Sequence, residues 1–254
     1  MKTVVIIPAR LNSTRLPKKV LLELNEKTII QRVYEQCLKA TFIDGVYIAT
    51  DSHEIKTICE QFTKNIIMTD KSHQSGTDRI AEAAEKIECD FVINVQGDEP
   101  FIQPDVIDKL AQAAIEKNED MVSVMHKINT LEDLRNPNVV KVVVDQHHNA
   151  LYFSRSVLPF PRDDYVKELN NSTSLVEKYS FYRHLGIYAY KKTFLLKYAK
   201  MQPSTLEKIE KLEQLRVIEN GYKIKMLIST KAITGIDTIE DYKRVKQLLD
   251  EIKK

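Results

Sequence analysis

Between Pro8 and Lys19 the chain gathers Arg10, Arg15, Lys18 and Lys19 with the hydroxyls of Ser13 and Thr14, and a proline stands near each end of the run. The apolar stretch Val4-Val5-Ile6-Ile7 just before it predicts a buried first strand. Cations, hydroxyls and backbone donors at the carboxyl end of a strand suit a polyphosphate. The loop contains neither Gly-x-Gly-x-x-Gly nor Gly-x-x-x-x-Gly-Lys, so it is not a dinucleotide loop or a Walker loop. Taken alone, it suits a solvated basic loop equally well.

Two carboxylates stand where such a ligand would need a metal. Val95-Gln96-Gly97-Asp98-Glu99-Pro100 follows a strand pattern, and Ile233-Thr234-Gly235-Ile236-Asp237-Thr238 follows another. Asp98 and Asp237 are candidate Mg²⁺ ligands, because Mg²⁺ takes one or two carboxylates together with phosphate oxygens. Each has a plainer reading as a helix cap. His73-Gln74-Ser75-Gly76-Thr77-Asp78-Arg79 precedes a helix pattern, with Thr77 as the expected cap and the hydroxyls and backbone groups able to read a base edge. Arg183-His184-Leu185-Gly186-Ile187-Tyr188 places His184 and Tyr188 an even number apart, on one face of a strand. Glu207, Glu210, Glu213 and Gln214 recur at helical spacing, and one or two of them could turn inward toward sugar hydroxyls.

The elements that must position these groups alternate in the first half. Strand patterns cover Val4–Ile7, Val46–Ala49, Ile66–Met68 and Phe91–Val95. Helix patterns cover 28–39 with Thr28 as cap, 52–62 with Ser52 as cap, 77–86, and 104–117 with Pro104 in the first turn. This βαβα rhythm predicts an α/β fold with a mostly parallel central sheet and helices on both faces. The second half is mixed. Strands are expected at 121–125, 139–144, 151–153, 185–190 and 224–228, one amphipathic helix at 206–220 stopping at Gly221, a last helix at 239–252, and an irregular arm over 155–182. His147-His148-Asn149 reads as a polar turn rather than a metal site. The expectation is a single domain over 1–254 with a smaller mixed β excursion at about 120–190.

The net charge is only +2, with 29% charged and 43% hydrophobic residues, which argues against a dedicated nucleic-acid binder and for a small anionic ligand. Cys37, Cys59 and Cys89 are odd in number and far apart, so neither a disulfide framework nor a zinc motif is expected, and a reducing cytoplasm fits. The apolar start ends at Pro8 and Arg10, too soon for a signal core, and no run reaches the ~18 apolar residues of a membrane span.

In family order and over essentially the whole chain, these segments resemble the 3-deoxy-manno-octulosonate (Kdo) cytidylyltransferases, also called CMP-Kdo synthetases. The resemblance rests on Ile-Pro-Ala-Arg-x-x-Ser-Thr-Arg-Leu-Pro-x-Lys at 7–19, His-Gln-Ser-Gly-Thr-Asp-Arg at 73–79 and Asn-Val-Gln-Gly-Asp-Glu-Pro at 94–100. It continues with Tyr-Phe-Ser-Arg at 152–155, Arg-His-Leu-Gly-Ile-Tyr at 183–188, Leu-Glu-Gln-Leu-Arg at 212–216 and Gly-Ile-Asp-Thr at 235–238. It implies a nucleotide-diphospho-sugar transferase fold, usually dimeric, and the Mg²⁺-dependent reaction of CTP with Kdo to give CMP-Kdo and pyrophosphate for lipopolysaccharide or capsule. By motif position it implies that Arg10, Ser13, Arg15 and Lys19 hold the triphosphate. Ser75, Gly76 and Thr77 would lie near the cytosine, Gln96 near nucleotide and sugar, and Asp98 and Asp237 on magnesium. Arg155, Arg162, His184, Tyr188, Glu213 and Gln214 would surround the sugar acid. Lys18 stands where the family commonly has Gly, Asp78 replaces a frequent Glu, and the 155–182 arm matches less closely. Three other readings are the same chemistry on a related acid such as the 8-amino analogue of Kdo, a glycosyltransferase, and a non-enzymatic nucleotide-binding module. Asp98-Glu99-Pro100 in place of Asp-x-Asp weighs against the glycosyltransferase.

Overall fold

Each residue of Thr3–Ala9 is buried, a run with no polar face that belongs in the middle of a sheet covered on both sides. The structure, a computed structural model, describes residues 1–11, 16–164, 174–231, 235–236 and 238–252. The chain runs through β1 (Thr3–Ala9), a 3₁₀ turn at Lys19–Leu21, β2 (Glu23–Leu24), β3 (Lys27–Thr28), α1 (Ile29–Cys37), β4 (Gly45–Thr50), α2 (His53–Cys59), β5 (Ile66–Met68), α3 (Gly76–Glu85), β6 (Phe91–Asn94) and α4 (Pro104–Lys117). It continues through β7 (Met121–Lys127), α5 (Leu131–Arg135), β8 (Lys141–Val144), β9 (Ala150–Ser154), α6 (Ser174–Lys178), β10 (Tyr182–Lys191), α7 (Lys192–Tyr198), α8 (Thr205–Glu210), α9 (Leu215–Glu219), β11 (Lys225–Ser229) and α10 (Ile239–Ile252). These elements form two compact units: Met1–Glu119 with Ile187–Ala199 and Ile233–Lys254, and Asp120–Gly186 with Lys200–Ala232.

In the first unit β1 pairs in parallel with β4 on one side and β6 on the other, β5 extends β4 in parallel, and Tyr188–Lys191 of β10 runs antiparallel to β6. Helix α1 packs with α4, and α3 with α7, covering the two faces as the βαβα pattern predicts. Thr28 and Ser52 cap α1 and α2 through their side chains, as expected, and Pro104 opens α4. Thr77 is not the cap of α3. Ser75 is, accepting from Asp78 N at 3.1 Å, and Thr77 lies buried inside the first turn. The chain leaves β1 toward β4 while β6 lies on the opposite flank, so the strand order reverses between β1 and β6. In a parallel sheet that crevice, at the carboxyl ends of the strands, is where ligands bind.

In the second unit β8 pairs antiparallel with β9 and with the Tyr182–Arg183 end of β10, and β11 pairs in parallel with β7. Ile128, Leu131, Leu134, Val139, Leu175, Val176 and Phe181 form a core there. The helix expected over 206–220 is instead two short helices, α8 and α9, broken at Lys211 with φ 56°. The 3.6-residue period runs unbroken through the break, so the cause is tertiary. Arg155 Nε donates to Glu210 O at 2.8 Å and Nη2 to Lys211 O at 3.4 Å, closing α8 there. Helices α5 and α7 stand where no helix is expected, and so does α6, inside the stretch 155–182 expected as an irregular arm. The His147–His148 segment is a turn, closed by Asp145, which accepts from the amides of His147 and Asn149 at 2.8 and 2.7 Å.

Candidate active site

The basic loop begins where β1 ends. Arg10 is exposed and makes no ion pair among the described residues, while Ser13 and Arg15 lie outside them. Lys18 is left-handed at φ 55° and reaches Glu54 at 2.6 Å. Lys19 turns the other way. It is buried, at 8% exposure, and its ammonium pairs with the Asp98 carboxylate at the end of β6. Two of the residues picked out by type therefore meet at the switch point of the sheet.

Gly97 explains why β6 can come this close. A Cβ placed there would lie 2.9 Å from Pro8 O, so only glycine lets the segment pass the end of β1. Gly76 sits on the same spot from the other side, its Cβ position 3.5 Å from Pro8 Cγ and 3.8 Å from Gln96 Oε1. The start of α3, Gln96 and the end of β1 thus converge, as the motif positions imply. The last motif docks here too. Ile236 N donates to Asp98 O at 2.9 Å, and Gly235 faces Glu99 Cγ at 3.7 Å. Asp237 itself lies outside the described residues. Its neighbour Thr238 caps α10 by accepting from Asp241 N at 3.1 Å.

Helix α3 is clamped in place by charges not read as functional. Buried Arg79 donates to Thr69 Oγ1 at 2.6 Å and to Asp51 Oδ2 at 3.0 Å. Glu82 gathers Lys86 at 2.7 Å, the Asp70 amide at 2.8 Å and the His73 ring at 2.6 Å. Partial burial raises the Glu82 carboxyl, but these three partners outweigh it and hold its pKa at about 2. They tie down the 70–75 loop that carries Ser75. The sequence signal for this hub is a Glu nine residues after a His and four before a Lys on one helix face.

Mg²⁺ fits the donors present. Among the described residues no group of three or more His, Cys, Asp or Glu is gathered as for a closed metal cage. The donors here are the Asp98 carboxylate, with Glu99 beside it and the Gly235–Ile236 segment against its backbone, and Mg²⁺ needs few protein carboxylates when phosphate oxygens and waters complete its octahedron.

The other candidates lie on β10 and in the second unit. Along β10, Leu185, Ile187 and Ala189 are buried, while His184, Gly186 and Tyr188 keep part of their surface open, which is the alternation expected of one strand face, although the His184 ring itself is enclosed. Tyr188 stacks on Tyr190 at 5.7 Å. The His184 ring packs edge-on to Phe153, places Nε2 2.9 Å from Ser123 Oγ and has Gln214 Nε2 at 3.5 Å from Nδ1. With the Gln214 amide nitrogen donating across this long contact, Nδ1 would accept and Nε2 would carry the hydrogen toward Ser123 Oγ. Burial pushes the imidazole down to about 3, so it is neutral at pH 7. Glu213 is half-buried and Gln214 buried, at the start of α9. Arg162 is exposed in a turn. Arg155 is committed largely to the fold: besides Glu210 O and Lys211 O, its Nη1 donates to Pro137 O at 3.0 Å. Buried Lys141 holds the same corner by donating to Arg155 O, Val139 O and Asn136 O at 2.6, 2.8 and 3.0 Å. Sequence reading missed Lys141, because a lysine in a strand pattern normally marks an exposed position.

A parallel sheet with a basic loop and a carboxylate at its switch point defines a nucleotide-binding α/β protein of the nucleotidyltransferase type. The cytidylyltransferase family model matches residues 4–225. The chain is 49% identical over 251 residues to a 3-deoxy-manno-octulosonate cytidylyltransferase of Francisella tularensis subsp. novicida, covering 97% of this chain and 98% of that protein. It is 43% identical over 256 residues to the enzyme of the same name from Neisseria meningitidis serogroup A, covering 98% of each. Among solved structures, a CMP:2-keto-3-deoxy-manno-octonic acid synthetase complexed with CTP superposes with a TM-score of 0.90 at 36% identity, over 99% of this chain and 100% of that one. The chain belongs to the 3-deoxy-manno-octulosonate cytidylyltransferase family. No helix among the described residues is long and apolar enough to cross a membrane.

Proposed function

We propose that this protein activates 3-deoxy-manno-octulosonate with CTP, giving CMP-Kdo and pyrophosphate for lipopolysaccharide or capsule synthesis. The observation that carries this reading is the Lys19–Asp98 pair at the switch point of the sheet, in a chain of this family. The sugar's anomeric hydroxyl attacks the α-phosphorus of CTP, the bond to the β-phosphate breaks, and pyrophosphate leaves. No covalent enzyme intermediate is required, because positioning and charge neutralisation supply most of the catalysis in such transfers. Arg10, Ser13, Arg15 and Lys19 hold the triphosphate, and Lys19 and Arg10 stabilise the charge that develops toward pyrophosphate. Ser75, Gly76 and Thr77 lie by the cytosine, and Gln96 by the nucleotide and sugar. Asp98 and Asp237 hold Mg²⁺, whose chemistry when bound is Lewis-acid polarisation of the α-phosphate and the attacking hydroxyl. Arg155, Arg162, His184, Tyr188, Glu213 and Gln214 take the sugar acid, with Arg155 acting largely through the backbone it clamps.

The family resemblance supports a homodimer, which light scattering would test, and the three dispersed cysteines support a cytoplasmic setting. The deciding experiment is pyrophosphate release from CTP and Mg²⁺ with Kdo, its 8-amino analogue and sialic acid in parallel. Release with Kdo is expected. Release only with another acid would keep the reaction and move the error to the sugar-facing residues. Silence with all three would overturn the reading.

A further inference from the structure

Arg216 closes the Leu-Glu-Gln-Leu-Arg segment, and the proposed function gives it no work. In the structure it is buried, at 8% exposure, and grips the equally buried Glu207 with a two-pronged contact: Nε to Oε2 at 2.7 Å and Nη2 to Oε1 at 2.5 Å. Its Nη1 donates to Met201 O at 3.0 Å, and Glu207 also accepts from Ser204 N at 3.0 Å. The contact is incompatible with a straight helix. Nine residues at 100° each put positions 207 and 216 on opposite faces, about 13.5 Å apart along the axis. The pair therefore exists only because α8 and α9 fold back on one another at Lys211. A second tie spans the same corner: Glu219 accepts from Leu206 N at 2.9 Å and from Ser204 Oγ. Helices of six and five residues do not hold themselves together, so the orientation of α9 depends on these ties. Gln214 stands at the N-cap of α9, between the corner and the ion pair, and its amide is the group that meets His184 Nδ1.

We propose that the Arg216–Glu207 pair is a positioning pair. It fixes the α8–α9 corner so that Gln214 donates to His184 Nδ1 while Nε2–H is directed at Ser123 Oγ, which holds the imidazole in one tautomer and one orientation beside the acidic sugar. The effect on sugar kinetics rests on the function proposed above, whereas the effect on the imidazole does not. Arg216→Lys keeps the cation and loses the fork. In this variant the KM for Kdo is expected to rise on the order of ten-fold, inside the hundred-fold that a small misplacement costs, while the KM for CTP stays at the native value. The His184 ring ¹⁵N shifts, read on the whole protein labelled at histidine, are expected to move from a pure Nε2–H pattern toward an average of the two tautomers. A merely structural role would leave those shifts unchanged in the folded fraction. Should Arg216→Lys fail to fold, the double variant Glu207→Leu with Arg216→Met removes both buried charges together, a change folds often tolerate, and is read in the same two ways. A folded variant with native KM for Kdo and native ring shifts overturns the proposal. If wild-type protein releases no pyrophosphate from CTP and Kdo, the functional reading fails by itself, and the ring shifts alone decide whether the pair positions His184.

Discussion

Lys19 and Asp98 neutralise one another across the crevice of the sheet, with the lysine side chain 10% exposed and the carboxylate 28% exposed. The asymmetry bears on how the site works. The cation is the more deeply buried partner, and the carboxylate keeps the larger share of its surface open. Under the function proposed above, a bound triphosphate would give Lys19 a new anion and free Asp98 for Mg²⁺, and substrate would divide the pair. Asp98→Asn keeps the shape and loses the charge. Turnover is expected to fall by orders of magnitude, and stability by about 1–2 kcal/mol, between the values for exposed and buried pairs. Pyrophosphate release and a thermal melt on the same sample check both. Near-normal turnover would sink the metal assignment.

Two glycines near the site make opposite predictions. A Cβ at Gly97 would lie 2.9 Å from the backbone oxygen of Pro8, a group that cannot rotate away. Gly97→Ala is expected to cost about 1–3 kcal/mol as β6 is pushed off β1, and to lose activity by the same displacement. At Gly235 the nearest atoms among the described residues are Glu99 Cγ at 3.7 Å and Asp98 O at 3.8 Å, ordinary contacts. Gly235→Ala should leave stability within about 0.5 kcal/mol of native. Urea midpoints for the two variants give the comparison, and equal values would show that the β1–β6 approach is not as tight as described.

Much of this was legible in the chain because local rules and the fold agree. Thr28 and Ser52 mark helix starts by their capping hydroxyls and Pro104 by its fixed φ, and the apolar runs Val4–Ile7 and Phe91–Ile93 announce central strands. The convergence of Pro8, Gly76, Gln96 and Asp98 follows once those strands are parallel neighbours. What was not legible depends on partners distant in sequence. The break at Lys211 keeps the helical period and is made by Arg155 and the Glu207–Arg216 pair. Ser75 and Thr77 are both good caps, and packing of Thr77 decides between them. Arg155, placed beside the sugar acid by its motif position, is committed largely to backbone carbonyls, which the motif does not reveal.

Acid should destabilise the protein through two groups that act over overlapping ranges of pH. His184 is held neutral by burial, with its pKa near 3 against an ordinary 6.5. Below pH 6.5 the unfolded chain takes up a proton that the folded chain refuses, so stability declines from there toward pH 3. Glu82 is depressed to about 2 from 4.5. Its contribution is complete above pH 4.5 and is lost as pH falls from 4.5 through 2. Urea titrations at pH 7, 5.5 and 3 are expected to show that His184→Gln flattens the decline between 7 and 5.5. Glu82→Gln should flatten the decline below 4.5. A Glu82→Gln profile that kept the native decline below pH 4.5 would contradict the hub built on His73, Lys86 and the Asp70 amide.

Lys18 tests how this chain lives with its departure from the family's common glycine. Its φ of 55° is the left-handed conformation that glycine adopts freely, and a side chain there costs about 1–2 kcal/mol. The exposed pair with Glu54 returns at most about 1 kcal/mol. Lys18→Gly relieves the backbone, loses that pair and gives the unfolded chain more freedom, worth roughly another 0.4–1 kcal/mol against folding. These terms nearly cancel, so its stability is expected within about 1 kcal/mol of native. Lys18→Val keeps the left-handed backbone, adds a branched Cβ that fits it poorly and loses the pair as well, so every term has the same sign. It is expected to fall by about 1–2 kcal/mol or more. Because Lys19 follows directly, the KM for CTP should rise in Lys18→Val and stay near native in Lys18→Gly. Chemical denaturation of the two variants reads the first contrast and CTP titration of pyrophosphate release the second. If valine proved as stable as glycine, the left-handed turn would not be what this position demands.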